Sequence, residues 1–458
     1  RSRARRPMRD LFVFVLFVVL LPACFFRPWV GVMVFSWLAY NRTQDLTWGF
    51  ARGLPISQTV AMAMTAGWIV WEFRPLLRRD VRLWSMIALI VLVGLSIAAN
   101  TVRWGVQGSR YSELIKIIYV ALLTGALCIN RARLRAAMFV VCLALGFYGV
   151  KNAIWFMLGQ GTGVGPGGML KDNNDFALAM VMNLPLLWYL ADDVGDLRHA
   201  RAARLAMRVA FFMTMFTVMS TGSRGGFLAM GVVLSVMALK TRWKLPALLA
   251  MGLAGLIGLL IAPPEYLERL STITEAKDES IMGRIISWKV SLEMVKDKPL
   301  LGIGFKNMVY EYQRYVQNVP LPAGMEAIPS RVAHNSYLQV WAETGSIALL
   351  VFLFMVGSTI LLARRIARRA RGSYDAWIVP YANSIEVCFY GYLAGAMFLN
   401  RAHFDLLYQL VAVGSAMPLI LVAERAAQQL RDRAARRGPG PARRVTIEGE
   451  THVAGAGG

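Results

Sequence analysis

The stretch RVAHNSYLQVWAETGSIALLVFLF, residues 331–354, changes character partway along. Its first part is polar and holds His334, one of only 4 histidines in the chain; near Val340 a membrane-like run of apolar residues begins. An apolar run of about 17 to 25 residues is long enough to cross the roughly 30 Å hydrocarbon core of a bilayer. Such runs recur along the whole chain, which is 57% hydrophobic and 17% charged, with a mean hydropathy of +0.48. Soluble domains of this length are not composed in this way. The sequence therefore reads as an all-α, polytopic integral membrane protein. A β-barrel would show short alternating strands, and none are visible.

Charge orders the runs. The net charge is +23, but the basic residues sit in short connections and not on one face of a soluble domain. That pattern follows the positive-inside rule and argues against nucleic acid as a partner. Arg74, Arg78, Arg79 and Arg82 mark one cytoplasmic connection; Arg131, Arg133 and Arg135, then Arg364, Arg365, Arg368 and Arg369, mark others. The basic N-terminus is expected on the same side as Arg74–Arg82. The first two segments, 10–26 and 28–40, meet at Arg27–Pro28 and are counted as one broken crossing, because proline interrupts helices. About 12 transmembrane helices result, with both termini cytoplasmic. The first run shows no small-residue cleavage site and reads as retained. The chain divides into N-terminal transmembrane helices (1–262), a large outer loop (263–339), C-terminal transmembrane helices (340–424) and a basic, disordered cytoplasmic tail (425–458). Cys24, Cys128, Cys142 and Cys388 lie within apolar runs, without metal-ligand spacing, and read as buried small hydrophobes.

The outer side keeps a distinct set of residues. In the long loop, Ile285, Trp288, Leu292 and Val295 recur at helical spacing before Pro299, which predicts an amphipathic helix lying on the membrane surface. Gly302 and Gly304 then permit a tight turn. Arg224 stands in STGSRGG (220–226), where a cation on the outer side runs against the charge rule. It could be an interfacial arginine reaching for headgroups, or an anion clamp in which neighbouring glycines admit a phosphate. Arg284 opens the loop helix and would ordinarily be solvated. His334 could hydrogen-bond at the interface, with Asn335 and Tyr337 as partners. Arg401 and Asp405 could form an ion pair or contact substrate. KDNND (171–175) can cap the helix that follows it.

Two outer arginines and a histidine make a chemical set. Guanidinium groups bind two phosphate oxygens at once and stabilise the growing charge of a diphosphate leaving group. An imidazole can take a proton from an attacking hydroxyl. No DxD motif accompanies these residues, so arginine would replace a divalent metal, although EAKDE (275–279) could collect an ion.

Three stretches carry a resemblance: STGSRGGFLAM (220–230), GRIISWKVSLEMVKDKPLLGIGF (283–305) and HNSYLQVWAETGSIALLVFLF (334–354). In that order and spacing the chain resembles the bacterial O-antigen ligase family. RPWVGVMVFSWLAY (27–40) and LTWGFARGLP (46–55) are similar to its exosortase-associated O-glycosylation subgroup. The resemblance implies a fold like that of the GT-C glycosyltransferases in the bacterial inner membrane, with a periplasmic active site. It implies metal-independent, inverting transfer of a glycan from undecaprenyl diphosphate to a hydroxyl of the lipid A–core oligosaccharide, without a cofactor. Its partners would be these two substrates and membrane lipids. His334 would be the base, and Arg224 and Arg284 the diphosphate ligands; Asn335, Tyr337, Arg401 and Asp405 would contact substrate. An O-antigen polymerase and a protein O-oligosaccharyltransferase share the donor. A flippase would instead carry polar groups at mid-membrane, which are scarce here.

Overall fold

The computed structural model describes residues 6–437 except 48, 102, 161–164, 196–197, 321–327 and most of 242–278. The segments 245–262 and 263–278, EAKDE up to Asp278 and the tail beyond 437 therefore lie outside the described residues. The described chain is helical, with no strand among the described residues. Among the described residues six helices are long and apolar enough to cross a membrane: Met8–Phe26, Val81–Ala98, Arg131–Met157, Ala200–Ser220, Ser336–Ala370 and Asp405–Arg433. Large apolar side chains remain exposed along them, such as Phe12, Val19, Leu205 and Leu350. Patches of this kind are not left facing water in soluble monomers. The protein is a multi-pass helical membrane protein.

The helices are α1 (Arg6–Phe26), α2 (Pro28–Asn41), α3 (Ile56–Trp71), α4 (Val81–Ala98), α5 (Trp104–Leu127), α6 (Arg131–Met157) and α7 (Asn173–Leu190). They continue with α8 (Ala200–Ser220), α9 (Arg224–Lys240), α10 (Glu279–Asp297), α11 (Met308–Val316), α12 (Ser336–Ala370), α13 (Val379–Ala396) and α14 (Asp405–Arg437). At the centre stands α7, packed by α6, α8, α9 and α13 and buried on nearly every face. A helix that is apolar all round belongs inside a bundle or membrane protein.

Cross-loop contacts define two ends. At the basic end, Arg131 and Arg135 meet Asp193, Arg133 meets Glu72 and Arg425 meets Asp375. At the opposite end, Tyr148 donates to the Asn41 carbonyl (2.8 Å), Ser223 to Asn174 (2.8 Å) and Gln107 to Asn307 (3.3 Å). That second end carries His334.

Two expectations change. Helices α1 and α2 are not one broken crossing but an antiparallel hairpin. Gly31 of α2 lies against Cys24 of α1, and Asp10 at the start of α1 accepts from the backbone of Gly49 and Ala51 beyond α2. Pro28 provokes the reversal: it cannot continue α1, but it suits the first turn of a new helix. The start of α1 therefore lies at the His334 end, opposite Arg74–Arg82 and opposite Arg425, so the two termini of the described chain are not together.

The second change concerns α10. It is a helix as expected, and of the expected positions Val295 is buried and Trp288 half-buried, but Ile285 and Leu292 face outward, and the buried stripe runs through Ile286, Val290 and Met294, with Ser287 and Ser291. It does not simply lie on a surface. It builds a small second core with Met308, Tyr312 and Tyr315 of α11 and Ala342 of α12. The turn after it uses Gly302 and Gly304 at φ 66° and 106°, as the sequence indicated. This turn clasps a break in α12, where Gly345 has φ 85°. The Ile303 and Gly304 amides donate to the Ala342 and Glu343 carbonyls (2.9 and 3.1 Å), and the Ser346 amide donates to the Pro299 carbonyl (2.8 Å).

Candidate active site

His334 stands immediately before α12, in the left-handed backbone region at φ 48°. That conformation costs a non-glycine residue about 1–2 kcal/mol, and strain of this kind gathers at functional positions. It is held from both sides. Asn335 caps α12, its Oδ1 accepting from the amides of Tyr337 and Leu338 (3.0 and 3.1 Å). The Asn335 amide donates to Asn400 (3.2 Å), Ser336 donates to the Leu399 carbonyl (2.6 Å), and the Arg401 amide donates to Ser336 (2.8 Å). On the other flank, Trp288 of α10 donates to the Ala333 carbonyl (2.9 Å). The start of α12, the 397–404 loop and α10 thus fix the imidazole together.

His334 lines a cavity of about 740 Å³. Its cationic lining comes from four regions: Arg42 after α2, Arg110 on α5 beside Glu113, Lys306 after the glycine turn, and Arg401 before α14, where His403 also lines it. Asp172, Asn174 and Asp175 line it from the start of α7. Asp172 caps α7, accepting from the Asn174 amide (2.8 Å), as KDNND implied. The pocket is polar and basic, and suits an anionic ligand.

The sequence candidates divide. Arg284 does not line the cavity, but its charge reaches the imidazole. Burial first, and then Arg284 and Arg331, hold His334 below its ordinary pKa; Asp172 and Asp175 oppose them. Arg224 is the first residue of α9, next to the cap Ser223, which donates to the cavity residue Asn174. Two of its neighbouring glycines sit at close approaches: a Cβ on Gly225 would meet Phe398 of the 397–404 loop at 2.8 Å, and one on Gly226 would meet Ala177 of α7 at 2.6 Å.

The structure shows the partners of the others. Asn335 Oδ1 caps α12, and the Tyr337 hydroxyl donates to the Leu393 carbonyl (2.7 Å). Arg401 lines the cavity but pairs with Asp175 of α7, not with Asp405. Asp405 lines a separate cavity of about 220 Å³, between α2, α5 and α14, with Tyr40, Lys116 and Gln409. Arg42, Arg110, Lys306 and His403 were missed. The charge rule that flagged Arg224 also flags Arg42 and Arg110 as outer cations; no local motif marks Lys306 or His403.

These features define a polytopic helical membrane protein with a cationic, histidine-bearing cavity at one end. Residues 209–353, which contain Arg224, Arg284, Lys306 and His334, match the family model described as O-antigen ligase, and this match supports an assignment to that family. Residues 8–195, which contribute Arg42, Arg110, Asp172 and Asp175, match a family of unknown function. No curated protein matches the chain. An O-antigen ligase domain marks a glycosyl-transferring enzyme acting on lipid-linked glycans.

Proposed function

We propose that the protein transfers a glycan from undecaprenyl diphosphate to a hydroxyl of lipid A–core at the periplasmic face of the bacterial inner membrane. The observation that carries this reading is His334 itself. It is strained, pinned on both flanks, and set on the wall of a basic cavity inside the stretch that matches the O-antigen ligases. The arginine-rich end faces the cytoplasm in this reading, by the charge rule. The cavity then opens to the periplasm. In this reading the bundle has a fold like that of the GT-C enzymes.

The acceptor hydroxyl attacks the anomeric carbon from the face opposite the diphosphate. A carbon–oxygen bond to the acceptor forms, the bond to the diphosphate oxygen breaks, and the configuration inverts. The hydroxyl proton passes to the His334 imidazole, which its surroundings keep neutral and able to accept at pH 7. Arg224 and Arg284 hold the departing diphosphate. Losing one such cation removes about 3 kcal/mol of transition-state stabilisation, a rate loss of roughly a hundredfold. With cations in that role the transfer needs no divalent metal.

The test is reconstituted, purified protein supplied with undecaprenyl-diphosphate glycan and lipid A–core in the presence of a chelator. A product with the mass of core plus glycan supports the ligase. Longer lipid-linked glycan would mean a polymerase. Glycan on a co-supplied Ser- or Thr-containing peptide would mean a protein O-oligosaccharyltransferase. Movement of intact donor across the membrane without a product would mean a flippase.

A further inference from the structure

Lys306 and His403 share the cavity wall with His334, yet the transfer chemistry uses neither. Lys306 is placed with care. Its backbone is held in the left-handed region at φ 55°, directly after the turn clasped to α12. Both neighbour the fully buried Phe305, whose ring lies 5.8 Å from the Lys306 ammonium and 4.9 Å from the His403 ring.

The other cavity cations are already paired: Arg42 with Asp45, Arg110 with Glu113, Arg401 with Asp175. Among the described residues no carboxylate stands within ion-pairing distance of Lys306. Its principal counter-charge is the Glu343 carboxylate, which is occupied by Gln339 (3.1 Å) and by the backbone amides of Lys306 and Met308. His403 is also incomplete, because its Nδ1 is sealed from solvent without a partner. An orphaned acceptor is tolerated better than an orphaned donor, so the neutral ring carries its proton on Nε2. His403 lines the cavity, and Nε2 is the ring nitrogen that is not sealed. Burial, and then the charge of Lys306, push the His403 pKa down to about 3, so it remains a neutral donor at physiological pH.

A desolvated ammonium without a close counter-ion is costly, and a ligand anion relieves that cost. We propose that Lys306 and His403 form an oxyanion subsite, which takes a phosphate or carboxylate on the sugar part of a substrate. It is separate from the arginines assigned to the diphosphate. The proposal rests on the transfer reading only for which molecule carries the anion.

The test is melting of the full-length protein in nanodiscs with inorganic phosphate, glucuronate or neutral glucose. Phosphate or glucuronate should raise the melting temperature of wild type and of His334→Ala, and glucose should not. The stronger of the two anions identifies the source. Lys306→Met should weaken the response by about tenfold in apparent Kd, as a lost charge-assisted hydrogen bond does. Lys306→Arg should restore it, and His403→Phe should weaken it independently should Lys306→Met fail to fold. An undiminished response in folded Lys306→Met, or no response of wild type beyond that to glucose, overturns the subsite. Glycan transfer distinguishes the two readings. Anion binding without any transfer would leave the subsite standing and remove the ligase; transfer with a Lys306-independent anion response would do the reverse.

Discussion

At the scale of the residue, His334 joins strain, position and electrostatics. Arg284 is tied to it by charge, since it is the second cause, after burial, of the depressed imidazole pKa. Removing that positive charge must raise the pKa toward 6.5, the unperturbed value. A base works in its deprotonated form, so the acidic limb of the rate profile should move to higher pH in Arg284→Gln. This shift comes on top of the loss in rate at the plateau. Steady-state transfer measured between pH 5 and 8 checks it, and an unmoved limb would mean that Arg284 does not sense the base. His334, Arg224 and Arg284 stand out in the sequence because each breaks a local rule: a rare histidine at a membrane lip, a cation on the wrong side, a charge at a helix start. Lys306 and His403 break no local rule. Their significance comes from missing partners, which only the folded chain reveals.

At the scale of the element, α10 is the instructive case. Its helical period was visible in the sequence, but which face would be buried was not. Apolar residues occupy a wide arc of α10, and the stripe at 285, 288, 292 and 295 competes with the one at 286, 290 and 294. Tertiary contact with α11 and α12 decides between them. Ile286→Ala should therefore cost about 2–5 kcal/mol, whereas Ile285→Ala, at 38% exposure, should cost under about 1 kcal/mol. Melting of the two variants in the same detergent checks the order, and equal losses would return α10 to the surface. The clasp on α12 belongs to this scale too. A Cβ on Gly345 would meet the Leu300 carbonyl oxygen at 2.0 Å, so the backbone there can approach only because that residue is glycine.

At the scale of the whole molecule, the all-helical, apolar character was legible, and the path of the first two helices was not. Composition marks segments 10–26 and 28–40 but cannot say whether a break at Arg27–Pro28 bends one crossing or reverses the chain. Asp10 settles that by reaching Gly49 and Ala51. The start of α1 should therefore share a membrane face with α10 and oppose the end of α12. The native cysteines Cys24, Cys128, Cys142 and Cys388 are buried. Single cysteines at the exposed positions Met8, Lys296 and Arg365 can then be labelled with an impermeant maleimide. Met8→Cys and Lys296→Cys should react from one side and Arg365→Cys from the other. Labelling of Met8→Cys together with Arg365→Cys would restore the single broken crossing.

The central claim is that His334 takes the proton during glycan transfer, and His334→Gly tests it most directly. Glycine occupies φ 48° without strain, so the melting temperature should be unchanged or slightly higher. With donor and acceptor saturating, the transfer rate should fall by about a hundredfold or more, the usual contribution of a general base. A stable His334→Gly protein that transfers glycan at nearly the wild-type rate would contradict the account.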